Sequence, residues 1–172
     1  LVDCGLFQGL KELRLRNRQP FPVPASSIRC VILTHAHLDH SGYVPVLMKQ
    51  GFTGPVYATP GTAALCEILL PDSGKIQEEE AGYANKKGFS KHNPALPLYT
   101  AKDAEWSLRQ FQTAAWKSHF SLTPGLKFRF DPAGHILGAA SVTFEFNGKS
   151  LLFSGDLGRQ EDPVFHPPQG GH

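Results

Sequence analysis

The run His35-Ala36-His37-Leu38-Asp39-His40 places four metal-capable side chains within six residues. Three imidazoles and one carboxylate form a donor set suited to zinc or a similar divalent transition metal. Four donors this close do not wrap easily around one ion. His35 and His37 are spaced to serve one ion, and the Asp39-His40 pair to serve another. The run therefore predicts a two-metal hydrolytic site rather than a structural zinc site.

Two further candidates stand at strand ends. Gly134-His135 follows the apolar alternation of Phe128 and Phe130 and is flanked by Gly138. Gly155-Asp156 follows Leu151-Leu152-Phe153, with Gly158 close behind. A polar residue in a Gly-rich loop at a strand end is commonly aimed into a site. His135 completes a three-His set with His35 and His37. Asp156 is a carboxylate able to bridge two ions ~3.5–4 Å apart. Asp3 is expected to accept a hydrogen bond from a ligand imidazole and fix its ring. Alone, His135 and Asp156 would read as ordinary turn residues; the first cluster's need for partners from other strands singles them out. His92, His119, His166 and His172 have no such context and read as surface or satisfied histidines. Lys86, Lys87, Lys91 and His92 read as a solvated loop, and Glu78-Glu79-Glu80 as an exposed helix face.

These side chains need a scaffold of strands ending in loops. Leu1–Cys4 reads as a strand end running into a Gly-rich turn, and Lys11–Arg18 with Pro20, Pro22 and Pro24 as a basic surface loop. Cys30–Thr34 is a short buried strand, and HAHLDH the loop after it. Ser41 is expected to cap a helix through Val44, Leu47 and Met48 that ends at Gly51. Pro55–Ala58 is a strand. Gly61–Leu70 is helical with Ala64, Leu65, Ile68 and Leu69 inward; Pro71 interrupts it, and a more polar helix resumes near Lys75–Lys86. Lys86–Pro97 is a basic loop and Lys102–Phe111 a short helix, while Ala114–Leu122 fits helix or strand. Leu126–Asp131 alternates as a half-buried strand. Ser141–Phe146 and Lys149–Ser154 flank the hairpin pair Asn147-Gly148. Helices mixed with strands and hairpins predict an α/β (α+β mixed) fold, with mixed sheets covered by helices.

The chain has 172 residues, 41% hydrophobic and 19% charged, enough for one domain with a core. A net charge of +2 does not argue for nucleic acid or membrane by itself. No apolar run approaches the ~20 residues of a membrane span. Cys4, Cys30 and Cys66 read as buried thiols in a reducing, cytoplasmic setting rather than a disulfide framework. The mid-strand opening and the loop at the end suggest a fragment of a longer protein or a trimmed chain.

HAHLDH at 35–40, AGHILGAAS at 133–141, LLFSGDLGR at 151–159 and LVDCGLFQG at 1–9 resemble the metallo-β-lactamase superfamily. DCGLFQG, GPVYAT and SGDLGR resemble, more narrowly, its β-CASP branch of RNA-processing nucleases. The resemblance implies an αββα sandwich, incomplete at both ends, with residues 1–172 a partial lactamase domain and the inserted β-CASP domain absent. It implies that His35, His37, His135 and Asp156 hold one Zn²⁺ and that Asp39, His40 and Asp156 hold the other, supported by Asp3. The family takes a further histidine ligand and a general-acid histidine from segments beyond the GDLGR region, and His172 lies too near to be either. The second site is therefore expected to bind weakly here, and this chain alone to be inactive.

The implied reaction is hydrolysis of an RNA phosphodiester, endonucleolytic or from the 5′ end, leaving a 5′-phosphate and a 3′-hydroxyl. Two ions would lower the pKa of a shared water from ~15.7 toward ~7, with Asp39 orienting the hydroxide. RNA is then the partner, in a homodimer or a processing complex, with no membrane. The basic stretches Lys11–Arg18 and Lys86–His92 would help hold the RNA backbone. The alternatives are a thioester or lactone hydrolase of the glyoxalase II type and a non-catalytic β-CASP-type scaffolding subunit.

Overall fold

In the computed structural model, residues 1–90 and 92–169 are described. Lys91 and His172, both read above from sequence, lie outside them.

Three short strands form a parallel sheet in the order β1 (Val31–Ile32), β2 (Val56–Ala58), β3 (Phe111–Thr113). Val2 adds one parallel bridge beside Ile32. Four longer strands, β4 (Phe120–Thr123), β5 (Leu126–Pro132), β6 (Ala140–Phe146) and β7 (Lys149–Phe153), form an antiparallel sheet in sequence order. The β6–β7 turn is the expected Asn147-Gly148, both residues at positive φ (49° and 73°), as a tight hairpin turn matched to strand twist requires.

Period-two alternation sorts the side chains into two cores. Val31, Leu33, Val56 and Ala58 face helices α3 (Val44–Lys49), α4 (Pro60–Lys87) and α5 (Ala101–Ser107) in one apolar cluster. Ile32, on the opposite face, packs with Phe128, Phe130, Ala140 and Val142 of the antiparallel sheet in the other. The layers therefore run helices, parallel sheet, antiparallel sheet.

Several expectations give way to packing. Lys11–Arg16 is a short helix, α1, rather than a loop. The second half of HAHLDH is a helical turn, α2 (Leu38–Ser41), rather than loop. Ser41 does not cap α3: its hydroxyl donates back to the Ala36 and His37 carbonyls. Pro71 does not interrupt α4, which runs unbroken for 28 residues. Its missing N–H frees one carbonyl, but the helix is held along its length; Gly74 lies so near the start of α5 that a Cβ there would sit 2.6 Å from the Ala101 nitrogen. The buried face of α4 is Thr62, Ala63, Cys66, Leu70, Ser73 and Gly74, continued by Ala81 and Ala84. Ile68, expected inward, is 67% exposed, because α5 and the sheet need small residues at close approach. Phe111 opens β3 rather than ending a helix, and α5 stops at Ser107 before a 3₁₀ turn. The ambiguous stretch resolves as a turn followed by β4. Glu78 is more than exposed charge: its carboxylate accepts the Ala101 N–H at 2.9 Å.

Candidate metal centre

Leu33 continues β1 by donating its N–H to the Tyr57 carbonyl, and the chain then turns out of the sheet at Thr34. His35 follows fully buried, while His37 stands at the start of α2 and Asp39 and His40 within it. The loops carrying His135 and Asp156 meet this turn from the antiparallel sheet. Ala140 N–H donates to the Thr34 carbonyl at 2.8 Å, and Gly158 N–H to the Ala133 carbonyl at 2.8 Å. Gly155, at φ +56°, lies directly on Thr34, where a Cβ would fall 2.7 Å from the threonine Cβ.

Four ligand atoms converge there. His37 Nδ1 lies 3.0 Å from His35 Nε2 and 3.2 Å from His135 Nε2. Asp156 Oδ2 is 3.8 Å from His35 Nε2 and 3.6 Å from His135 Nε2. A tetrahedral ion with metal–nitrogen bonds of ~2.0–2.1 Å holds its ligand atoms ~3.3 Å apart, so these separations bracket one ion's shell. His35, His37, His135 and Asp156 thus form a His/Asp metal-binding group suited to a divalent cation.

The other carboxylate oxygen faces the second half of the cluster. Asp156 Oδ1 is 3.4 Å from His40 Nε2, and Asp39 Oδ2 is 3.8 Å from the same nitrogen. Asp156 therefore stands between the three-His set and the Asp39-His40 pair, one oxygen toward each.

Hydrogen bonds set the ring tautomers. Asp3 accepts from Thr34 N–H and from the Thr34 hydroxyl, each at 2.8 Å, and from His40 Nδ1 at 2.7 Å. An ionised carboxylate only accepts, so the His40 proton sits on Nδ1 and its Nε2 lone pair faces Asp156. The Thr34 hydroxyl gives its one hydrogen to Asp3 and must accept from His35 Nδ1, 3.1 Å away. That leaves His35 Nε2 bare toward the cluster. Burial, then the neighbouring His40 and His37 charges, push the His35 pKa down to about 4, which keeps the ring a neutral ligand. Thr34 was missed in the sequence; the only signal was a hydroxyl residue between a buried strand and the first histidine.

A second support is equally invisible to sequence. Thr59 caps α4 and donates its hydroxyl to the Gly138 carbonyl at 2.6 Å; the Thr62 hydroxyl donates to the same oxygen at 2.9 Å. Gly138 itself, at φ +79°, comes so close that a Cβ would meet the Thr62 nitrogen at 2.2 Å. Two buried hydroxyls thus hold the loop that carries His135. Replacing both by valine leaves the carbonyl unpaired, at a cost of about 1–3 kcal/mol, and frees the loop. Denaturant midpoints should fall accordingly, with metal affinity ~10-fold weaker by titration.

The remaining histidines stay apart from this group. His119 pairs with Glu145 at 3.2 Å on the surface, and His92 and His166 are exposed.

A parallel sheet stacked on an antiparallel one, with a His/Asp group at the loops between them, defines a metal-binding α/β sandwich. Residues 1–167 match the model of the beta-lactamase superfamily domain, and the chain belongs to that family. It is similar to ribonuclease TTHA0252 of Thermus thermophilus, 37% identical over 98% of this chain and 34% of the relative. It is similar to transcription termination factor FttA of Methanosarcina mazei, at 33% identity over 97% of this chain and 25% of that protein. Cleavage and polyadenylation specificity factor 73 of Drosophila melanogaster is 32% identical over 94% of this chain and 22% of its own length. These relatives are consistent with the β-CASP branch, and the chain spans about a third of their length or less, 22–34%. Among solved structures, the HARLDQ-motif metallo-beta-lactamase of Cronobacter sakazakii has the same fold, with a TM-score of 0.52 at 17% identity over 95% of this chain and 50% of that one. Among the described residues, no helix is long and apolar enough to cross a membrane.

Proposed function

We propose that this chain carries the metal centre of a zinc-dependent RNA phosphodiester hydrolase of the β-CASP branch. The observation that carries the reading is Asp156, with one oxygen toward three converging imidazoles and the other toward His40. Relatives named as a ribonuclease and as a cleavage and polyadenylation factor support RNA as the substrate. Their greater length supports placing residues 1–172 as part of a lactamase domain within a longer polypeptide.

In this reading His35, His37, His135 and Asp156 would hold one zinc ion, and Asp156, His40 and Asp39 would hold a second. When bound, the ions supply Lewis acidity and a water of lowered pKa. Asp156 keeps the two sites at a fixed separation. Asp39, whose side chain is 53% exposed, stands at the open side of the cluster, where its carboxylate would orient the attacking water. Asp3 acts through His40: it holds the ring so that Nε2, not Nδ1, faces the reacting side. Three free cysteines, two of them buried, support a reducing, cytoplasmic setting.

Metal removal tests the reading. The full-length polypeptide stripped by a chelator should lose RNA cleavage and recover it on addition of zinc. Zinc at about 1,000 times its dissociation constant should add about 4 kcal/mol to unfolding stability. Hydrolysis of S-lactoylglutathione with no cleavage of RNA would overturn the assignment in favour of a thioester hydrolase.

A further inference from the structure

Between α1, α4 and the loop after α4 runs a groove of about 650 Å³, outside the metal centre. Its walls include Lys11, Arg14 and Arg18 on one side and Tyr83 and Phe89 on the other, with Glu80 the one acidic residue lining it. We propose that this groove is a binding track for single-stranded RNA, with phosphates on the α1 side and a base stacked on Phe89.

Three observations carry this beyond a solvated basic face. First, the charge is uncompensated. Lys11 and Arg14 have no acidic partner within 4.0 Å among the described residues, and Arg18 donates to the Leu96 carbonyl at 2.6 Å. Yet the chain's net charge is only +2, so the groove concentrates cations that the rest of the surface balances. Second, aromatic rings stand largely exposed, held edge to face against each other and, at Tyr83, beneath the Lys87 ammonium. Phe89 is 65% exposed and Tyr83 58%, their centroids 5.9 Å apart and tilted edge to face. Basic side chains opposite free aromatic faces are the combination that holds an unpaired strand, because phosphates need cations and splayed bases need stacking platforms. A helix free of buried residues, such as α1, contributes little to the core and is free to serve a ligand. Third, the groove adjoins a cavity that reaches Asp3, whose carboxylate holds His40. Phe7 lines it and also lines a smaller cavity shared with Asp3 and Cys4. The segment between them is tied to α2 by Cys4 N–H to the His40 carbonyl and Leu6 N–H to the Leu38 carbonyl.

The inference rests on RNA being the substrate, and the test separates the two. Anisotropy of a labelled 12-nucleotide single-stranded RNA is measured with the 172-residue chain in chelator, where no cleavage occurs. Lys11→Ala with Arg14→Ala should weaken binding about tenfold and lower the salt slope by about 1.4, at ~0.7 per phosphate contact on a single strand. Phe89→Ala should weaken it about fivefold or more, and Phe89→Trp should restore it. These residues are exposed, so unchanged thermal unfolding checks that the fold is intact. Wild-type affinity in both the charge and the Phe89 variants overturns the proposal, as does a wild-type chain that binds no single-stranded RNA. Tighter binding of duplex RNA, or equal competition by polyglutamate, overturns it in favour of a different occupant. Cleavage by the full-length polypeptide that persists with an unused groove would sink the track alone; RNA bound in the groove with no cleavage by the metal-loaded full-length polypeptide would sink the hydrolase reading alone.

Discussion

Replacing His37 by alanine should lower RNA cleavage about 10³-fold or more and weaken metal binding in parallel. Its Nδ1 is the hub of the cluster, the one atom within hydrogen-bond distance of both other ring nitrogens, at 3.0 and 3.2 Å. Charge stabilisation by a bound metal supplies several kcal/mol in such reactions, and each ~1.4 kcal/mol is tenfold in rate. The fold should tolerate the change. His37 is half-buried at the start of α2, and its contribution to the helix is its carbonyl, which accepts from Ser41 whatever the side chain. Circular dichroism and metal-free denaturation should therefore stay near wild type while calorimetric zinc binding falls. Undiminished cleavage by His37→Ala would refute the two-metal reading.

Gly5→Ala should be nearly as damaging, by a different route. A Cβ at position 5 would lie 1.6 Å from the Asp39 carbonyl oxygen and 2.6 Å from the His40 nitrogen. No rotamer relieves this, because both obstacles are backbone. The segment is pinned on each side, by Cys4 N–H on the His40 carbonyl at 2.7 Å and Leu6 N–H on the Leu38 carbonyl at 2.8 Å. Accommodation requires α2 to move away with Asp39 and His40, or Asp3 to leave His40. The expected cost is about 3 kcal/mol or more, which for a chain of this size lowers the melting temperature by roughly 6–12 °C. Metal affinity should suffer most on the His40 side. Gly9→Ala is the control: Gly9, unlike Gly5, has a positive φ (+79°), but no atom lies within 4 Å of the added methyl, so its cost is about 1–2 kcal/mol of backbone strain alone. A Gly5→Ala denaturation midpoint equal to that of Gly9→Ala would show that the close approach to α2 is not what matters.

The two glycines show where legibility in the sequence ends. Both read alike as part of a Gly-rich turn after Asp3, yet only one touches another backbone. The same holds for the helices. The apolar spacing of Ala64, Leu65, Ile68 and Leu69 pointed to a face that the fold leaves partly in solvent, because α4 is packed through its small residues instead. Pro71 reads as a break from local rules, and neighbouring elements keep the helix continuous through it. Strands fared better: β5 and the β6–β7 hairpin follow from period-two alternation and from Asn147-Gly148, which act locally and need no distant partner.

The sequence alone determined which atoms can bind a metal, since affinity for a divalent ion belongs to imidazole and carboxylate wherever they stand. HAHLDH, His135, Asp156 and Asp3 were therefore legible, and so was the family. Tertiary structure decided how those atoms face one another. Which oxygen of Asp156 meets which histidine depends on Gly155 lying against Thr34. Which nitrogen of His35 is bare depends on a hydroxyl committed to Asp3, and where His135 stands depends on Thr59 and Thr62 reaching a carbonyl far along the chain. Orientation is fixed by contacts between segments distant in sequence, and residue type carries no record of them until the chain is folded.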